Sequence, residues 1–367
     1  MTTYNSYEAL QLRELGIATL PANAADVDPL TRAYERLRKQ GYHLIGSHAA
    51  VKKCLWVHNA LVYGKFCYKC RFYGIESHRC IQFSPAVLWC WNSCLHCWRL
   101  RPGDFGLEGV ELLKLPYVED PEVLAELAIA EHRRTVSGYA KRASREMYRE
   151  AVDPKHVAIS LTGEATLYPR LGELIQVFHR KGLTTFLVTR GVRPDALANL
   201  EEEPTQLYVS LEAWNEEMYR YFSRPVGGGL WRLTLKTLEL LPSLSTRTVI
   251  RITLVKGFNM GEEDVRGFAK LIEKANPTYV EPKAYMHVGA SVGRLSRASM
   301  PTYEEVMEFA KKLAEETGYR LVSSSKPSRV ALLTRLEKPV YRYGKGCPKA
   351  WEEVDVEGEV YEEEYPR

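Results

Sequence analysis

Long apolar runs are missing from this 367-residue chain. The longest uncharged stretch, residues 80–98, carries Gln82, Ser84, Pro85, Asn92, Ser93, His96 and four cysteines. Hydrocarbon tolerates such groups poorly, and a spanning helix needs about 20 mostly apolar residues, so no membrane association is expected. The first ten residues show neither a basic flank nor an apolar run, so no secretory signal is read there and a cytoplasmic location is expected. Internal repeats are absent, and the only biased segment is the tail, where residues 351–367 hold eight acids and one Arg. At 45% hydrophobic and 26% charged residues the composition excludes a disordered chain and a small disulfide scaffold. Cysteine is scarce, at eight residues, but clustered. In a reducing compartment clustered thiols read first as metal ligands or catalytic groups. Acid is nearly absent from residues 51–101: eight Lys or Arg stand against Glu76 alone. A cationic region beside a reactive site suits a polyanionic substrate such as nucleic acid.

What is present from residue 84 onward is strand–helix alternation. Short runs rich in Val, Ile, Leu and Thr at 85–89, 156–161, 184–189, 206–211, 248–255 and 278–284 read as strands. Helical patterns separate them at 122–135, 170–181, 230–241, 262–274 and 303–317. Six strands alternating with helices predict an α/β protein with a parallel sheet, doubly wound or barrel-like. A last pair, 319–323 and 329–334, is expected to finish the sheet, and residues 1–47 read as a polar helical extension. Three parts are expected: an N-terminal extension with cysteines at 1–83, the sheet-bearing part at 84–340, and a C-terminal segment with the acidic tail at 341–367.

Cys90, Cys94 and Cys97 form C-x3-C-x2-C directly after the first expected strand, where loops of parallel folds build active sites. Three thiolates on one loop hold three corners of a metal cluster and leave the fourth metal ion open. Structural zinc normally takes four ligands, and no fourth ligand at suitable spacing is evident. A second set, Cys54, Cys67 and Cys80, is spaced with 12 residues between neighbours, unlike any zinc ribbon. Cys70 forms a C-x2-C pair with Cys67, so it is an alternative third ligand, a redox partner or a buried apolar thiol. Cys347 reads as incidental.

The text CYKCRFYGIESHRCIQFSPAVLWCWNSCLHCWR, with SLTGEATLYP, YVSLEAWN, RITLVKGFNM and YMHVGASVGRLSR following in order, resembles the archaeal tRNA 4-demethylwyosine synthases of the radical S-adenosylmethionine (SAM) superfamily. The resemblance runs from about Lys52 to Arg335. It implies an incomplete (β/α)6 TIM-like barrel holding two [4Fe–4S] clusters. It also implies condensation of N1-methylguanosine-37 of tRNA-Phe with pyruvate to give 4-demethylwyosine. Position by position, Cys90, Cys94 and Cys97 match the ligands of the SAM cluster, and Cys54, Cys67 and Cys80 those of an auxiliary cluster. Lys69 matches a lysine that meets pyruvate, as a Schiff base or as a cation beside the carboxylate. Thr162, Gly163 and Glu164 match the loop that holds the SAM ammonium, and Ser210 and Glu212 the residues facing its ribose. His96 stands where a carbocyclic aromatic is usual and Ala165 where proline is common.

The chemistry needs such groups. Homolysis of SAM requires a low-potential electron, which iron–sulfur clusters supply and zinc does not. The expected target of the 5′-deoxyadenosyl radical is the N1-methyl group, whose methylene radical would add to pyruvate C2; loss of C1 and closure through the exocyclic amine would complete the ring. The base must leave its stack to react. Arg71, Phe72, Tyr73, Lys141, Arg142, Arg145, Arg149, Arg294 and Arg297 are candidates to grip the RNA. Only about 50 residues precede Cys54, without a Gly-rich phosphate loop, so the electron is expected from a separate ferredoxin or flavodoxin. Two competing readings are a radical-SAM enzyme for another substrate and a non-catalytic, metal-dependent RNA-binding protein.

Overall fold

The computed structural model describes residues 28–107 and 114–337. The acidic tail and Cys347 lie outside them, as do residues 1–27. Ten strands form one sheet: β1 Tyr42–Ile45, β2 Ala49–Lys52, β3 Cys80–Ser84, β4 His156–Ile159, β5 Thr184–Thr189, β6 Gln206–Leu211, β7 Arg247–Leu254, β8 Tyr279–Ala284, β9 Arg320–Ser325 and β10 Val330–Thr334. Their order is β1-β2-β3-β4-β5-β6-β7-β8-β10-β9. Strands β3 to β8 run parallel, as six alternating strands require. The β1–β2 hairpin extends one edge antiparallel, and β10 with β9 extends the other. The ends do not pair with each other, so the sheet is a partial, TIM-like barrel.

The expected strands from β4 onward match within two residues at either end, as do the five expected helices. Two expectations at the N-terminal side differ. The first parallel strand is Cys80–Ser84, not 85–89. Pro85 has no N–H to give a ladder, and the apolar run behind it is a loop buried for packing, with Ala86, Val87 and Leu88 at most 1% exposed. The 83/84 division falls inside this strand. Residues 1–47, read as helical, contain the helix Pro29–Lys39 but then turn into β1.

The interior is packed on two sides. Helices cover the outer face of the sheet with a broad aliphatic core. Inside, Tyr68, Phe72 and Tyr73 of the short helix Tyr68–Tyr73 pack on Phe186, Tyr208, Val249 and Tyr279, which lie in the first halves of their strands. This helix plugs the barrel, each fully buried ring contributing about 2 kcal/mol or more of transfer free energy. Because its first turn faces the open space above the plug, the residues there become available for chemistry.

Burial also sets an acid limit on stability. His132 and His156 are pushed by burial from 6.5 to about 4 and about 3. They stay neutral in the fold while the unfolded chain takes up protons below about pH 6.5, so stability is full above that pH and declines as it falls. Each ring contributes at most about 1.4 kcal/mol per pH unit in this window. Urea midpoints at about pH 7 and about pH 5 are expected to differ accordingly; equal midpoints would contradict the buried-neutral assignment.

Candidate active site

The C-x3-C-x2-C loop leaves the carboxyl end of β3 and is tied down along its length. Asn92 bridges to Pro225, Ser93 N donates to Ser223 O at 2.9 Å, and Leu95 N to Phe222 O at 2.8 Å. Arg101 donates to Ser93 O at 2.6 Å, and Arg294 donates to the carbonyls of Leu95 and Cys97 while pairing with Asp104 at 3.1 Å. Arg294 is therefore a clamp on the cysteine loop rather than a hand for RNA. Burial pushes the thiols of Cys90 and Cys94 upward, and each feels its cysteine neighbours. A cationic centre bound beside Cys90 and Cys94 would oppose this and favour their thiolates.

The loops after β4 and β6 face the same space. Gly163 has φ +69°, and a Cβ there would fall 1.7 Å from the Ala86 carbonyl oxygen, backbone that cannot move aside. By the resemblance this loop would hold SAM; Gly163→Ala is then expected to displace it and weaken SAM binding at least about tenfold, measured by equilibrium dialysis, and unchanged affinity would contradict that expectation. Glu164, 1% exposed, accepts from Thr166 Oγ1 at 2.8 Å, Thr189 Oγ1 at 2.7 Å and Arg190 N at 2.9 Å. Thr166 N adds a fourth bond at 3.3 Å; three of the four fall on Oε1, so Oε2, which accepts from Arg190 N alone among them, keeps acceptor capacity. Glu212 pairs with Arg190 and comes within 3.3 Å of His96 Nε2. Burial, then Arg190 and Arg294, hold His96 near 3, hence neutral. Among the described residues, Glu212 Oε1, His96 Nδ1 and Arg190 Nε are buried without hydrogen-bond partners. Such a set, beside Ser210, suits the ribose and amino-acid ends of a nucleoside ligand.

Cys54 and Cys67 stand immediately before the helices Leu55–Tyr63 and Tyr68–Tyr73, and Cys80 opens β3. Residues far apart in sequence thus converge. Burial pushes Cys67 to about 11 and Cys80 to about 12, and both feel Cys54. Backbone N–H groups at the helix starts favour the thiolates of Cys54 and Cys67, but burial outweighs them. Cys70 is wholly buried beside Ala60 and Phe66 and does not line the cavity that Cys54, Cys67 and Cys80 share. Lys69 extends from the plug helix with Nζ 4.5 Å from the centroid of Tyr208 and 5.3 Å from that of Phe186. Burial, then the charge of Arg251, lowers its pKa.

Both cysteine triads, Lys69, Thr162 to Glu164, Ser210 and Glu212 line one cavity of about 530 Å3. Each triad offers three thiol donors, spread wider than a single metal ion would gather them. A zinc ion with Zn–S bonds of about 2.3 Å holds its sulfurs within about 4 Å of one another. Among the described residues, neither triad brings its three sulfurs within 4.8 Å of one another; the one group so gathered is Glu76, His78 and Glu150.

Several residues escaped the sequence reading. Arg190, Arg251, Glu281 and Lys283 line or underlie the cavity, and only their place at the ends or inner faces of strands signalled it. Among the RNA candidates, Phe72 and Tyr73 are 0% exposed and belong to the core. Lys141, Arg142, Arg145, Arg149 and Arg297 are exposed. Of the eight basic residues in 51–101, only Lys53 and Lys65 are exposed; Arg79, Arg99 and Arg101 point inward to Asp153, Tyr42 and Asp104. Trp98, 40% exposed, lies at the cavity wall with the Arg99 guanidinium 3.7 Å from its ring centroid. No helix among the described residues is long and apolar enough to cross a membrane.

Comparison with known proteins agrees with this geometry. A family model described as the Radical SAM superfamily matches residues 85–272, and one described as Wyosine base formation matches residues 274–335. The chain is 46% identical over 305 residues to the "S-adenosyl-L-methionine-dependent tRNA 4-demethylwyosine synthase" of Methanocaldococcus jannaschii, covering 82% of this chain and 94% of that protein. It is 43% identical over 304 residues to the protein of the same name from Pyrococcus abyssi, covering 81% and 87%. A solved structure described as "Structure of TYW1 with a lysine-pyruvate adduct bound" matches with a TM-score of 0.76 at 40% identity, over 89% of this chain and 100% of that one.

Proposed function

This chain belongs to the tRNA 4-demethylwyosine synthases of the radical SAM superfamily, and from that premise we propose that it joins N1-methylguanosine-37 of tRNA-Phe to pyruvate on two [4Fe–4S] clusters. It is a SAM-dependent enzyme of wyosine formation on tRNA with an iron–sulfur cluster. Cys90, Cys94 and Cys97 hold the SAM cluster, and Cys54, Cys67 and Cys80 the auxiliary one. Thr162, Gly163 and Glu164 take the SAM ammonium, while Ser210 and Glu212 face its ribose. Together these groups supply a 5′-deoxyadenosyl radical for the N1-methyl hydrogen and a Lewis-acidic iron for the keto acid.

The chain's own residues do the rest. Lys69 presents its amine to the pyruvate carbonyl from a rigid, aromatic-walled position, and its lowered pKa favours the nucleophilic form. The lysine–pyruvate adduct of the 40% identical protein supports a covalent role for it. Enclosure between the sheet and its loops would keep a carbon radical from solvent, and Trp98 with Arg99 offers a stacking face to a base leaving its loop. The electron comes from a separate ferredoxin or flavodoxin, and oxidation-sensitive clusters with a tRNA substrate suit the cytoplasm. The segment before β3 and the first residue of β3 carry the auxiliary ligands, the loops after β3, β4 and β6 the SAM site, and residues 341–367 have no assigned role.

One observation carries this reading: both triads and Lys69 share a single cavity. Anaerobic reconstitution with N1-methylguanosine tRNA, pyruvate and reductant tests it. About eight irons per chain, 5′-deoxyadenosine and the tricyclic base are expected. 5′-Deoxyadenosine without the base would indicate another substrate, and tRNA binding without SAM cleavage would indicate a binding protein.

A further inference from the structure

Four lysines line the cavity, Lys52, Lys53, Lys69 and Lys283, and of the two near Tyr208 and Tyr68 only Lys69 has a role so far. Lys283 lies near the end of β8, opposite Val330 of β10 in the register, within the segment that matches the wyosine-forming model. Its Nζ donates to the Ser328 carbonyl at 2.6 Å and stands 5.2 Å from the centroid of Tyr68. It lines the same wall as Cys67 and Lys69.

The charges at this wall do not balance. Lys69, Arg251 and Lys283 bring three cations, with Arg329 near Lys283; against them stand Glu281, 0% exposed, and the Cys67 and Cys80 sulfurs, whose charge a bound cluster would largely take up. That carboxylate is already occupied: Arg251 pairs with it at 2.9 Å, Tyr73 donates to it at 2.6 Å and Tyr68 at 3.2 Å. Among the described residues, no carboxylate lies within ion-pair distance of Lys283 or Lys69. Burial and the Arg251 charge lower the Lys283 pKa to about 8, the direction taken by a cation short of a counter-ion. A partly buried ammonium with two free N–H donors and no acid partner is completed by a small anion.

We propose that Lys283 is the anchor for the carboxylate of the 2-oxo acid, held by the Ser328 carbonyl so that the ligand's C2 carbonyl is turned toward Lys69. The inference rests on the reading of pyruvate as co-substrate. It divides labour between two lysines on one wall. Lys283 supplies a fixed charge that selects a carboxylate, and Lys69 meets the adjacent carbonyl. A 2-oxo acid places these two functions on neighbouring carbons, which suits two ammonium groups that both lie close to Arg251, Glu281 and Cys67.

The test uses reconstituted holoenzyme. Lys283→Met is expected to raise KM for pyruvate about 30-fold, the usual scale for truncating one partner of a desolvated charge pair, with a much smaller change in kcat. Lys283→Arg is expected to recover part of the loss. Competition between pyruvate and uncharged methyl pyruvate for borohydride-trapped adduct adds a readout independent of turnover. Wild type is expected to prefer pyruvate by about 30-fold, and Lys283→Met to lose most of that preference. A KM within about threefold of wild type, or an unchanged preference, would overturn the assignment. If neither variant loads iron, the wild-type competition still decides, because an enzyme indifferent to the carboxylate has no such anchor. Absence of any trapped adduct in wild type would instead count against a covalent Lys69, while the KM shift continues to judge Lys283.

Discussion

Cys67→Ala is expected to keep releasing 5′-deoxyadenosine in the presence of reductant and SAM, while formation of the wyosine base falls by about 10³-fold or more. Cys94→Ala is expected to abolish both. The separation follows from where the sulfurs stand. Cys94 belongs to the loop after β3 and lines the cavity with Glu164 and Arg190, on the part of the wall proposed for SAM. Cys67 heads the plug helix among Cys54, Cys80 and Lys69, on the part of the wall assigned to the keto acid. Its loss removes one of three ligands to the auxiliary cluster without touching the other loop. Iron content near half of wild type, with product quantified by mass spectrometry of digested tRNA, checks the pattern. A Cys67→Ala enzyme that makes the base at the wild-type rate would show that the auxiliary cluster is assigned to the wrong sulfurs.

The second large effect concerns Lys69. Lys69→Met is expected to lose base formation by about 10³-fold and to give no borohydride-trapped pyruvate, with both clusters still loaded. Lys69→Arg separates the two roles open to this residue. It keeps a positive charge near Tyr208 and Phe186 but forms no imine, so failure of the Arg variant identifies the amine as a nucleophile. Substantial base formation by Lys69→Arg would make Lys69 an electrostatic partner only, and Lys283 together with the cluster would then hold the substrate.

Much of this site was legible in the chain. The Cys90, Cys94 and Cys97 spacing encodes one tight loop, so three ligands separated by a few residues are bound to be neighbours in space. Gly163 was readable from its motif, and the contact of an added Cβ with Ala86 O explains why glycine stands there. The strands from β4 onward were readable because buried parallel strands are short apolar runs between turn residues. The first strand was not, since the run at 85–89 is as apolar as a strand but Pro85 breaks the ladder and the run packs as a loop. The cationic region was legible as a count but not as a surface, because a count of Lys and Arg carries no direction. Arg79, Arg99 and Arg101 are turned inward to acids, carbonyls and rings, and Arg294 grips the cysteine loop.

Local order in the sequence by itself determined the alternation of strands and helices, the ligand loop and the glycine turn, because each depends on residues a few positions apart. Tertiary structure alone brought Cys54, Cys67 and Cys80 to one cavity, left Cys70 out of it, and put Lys283 with Lys69 in its lining. Those outcomes depend on the curvature of the sheet and on the helix Tyr68–Tyr73 filling its interior. Packing of rings against the first halves of four strands sets which side chains face the cavity, and no spacing along the chain records that choice.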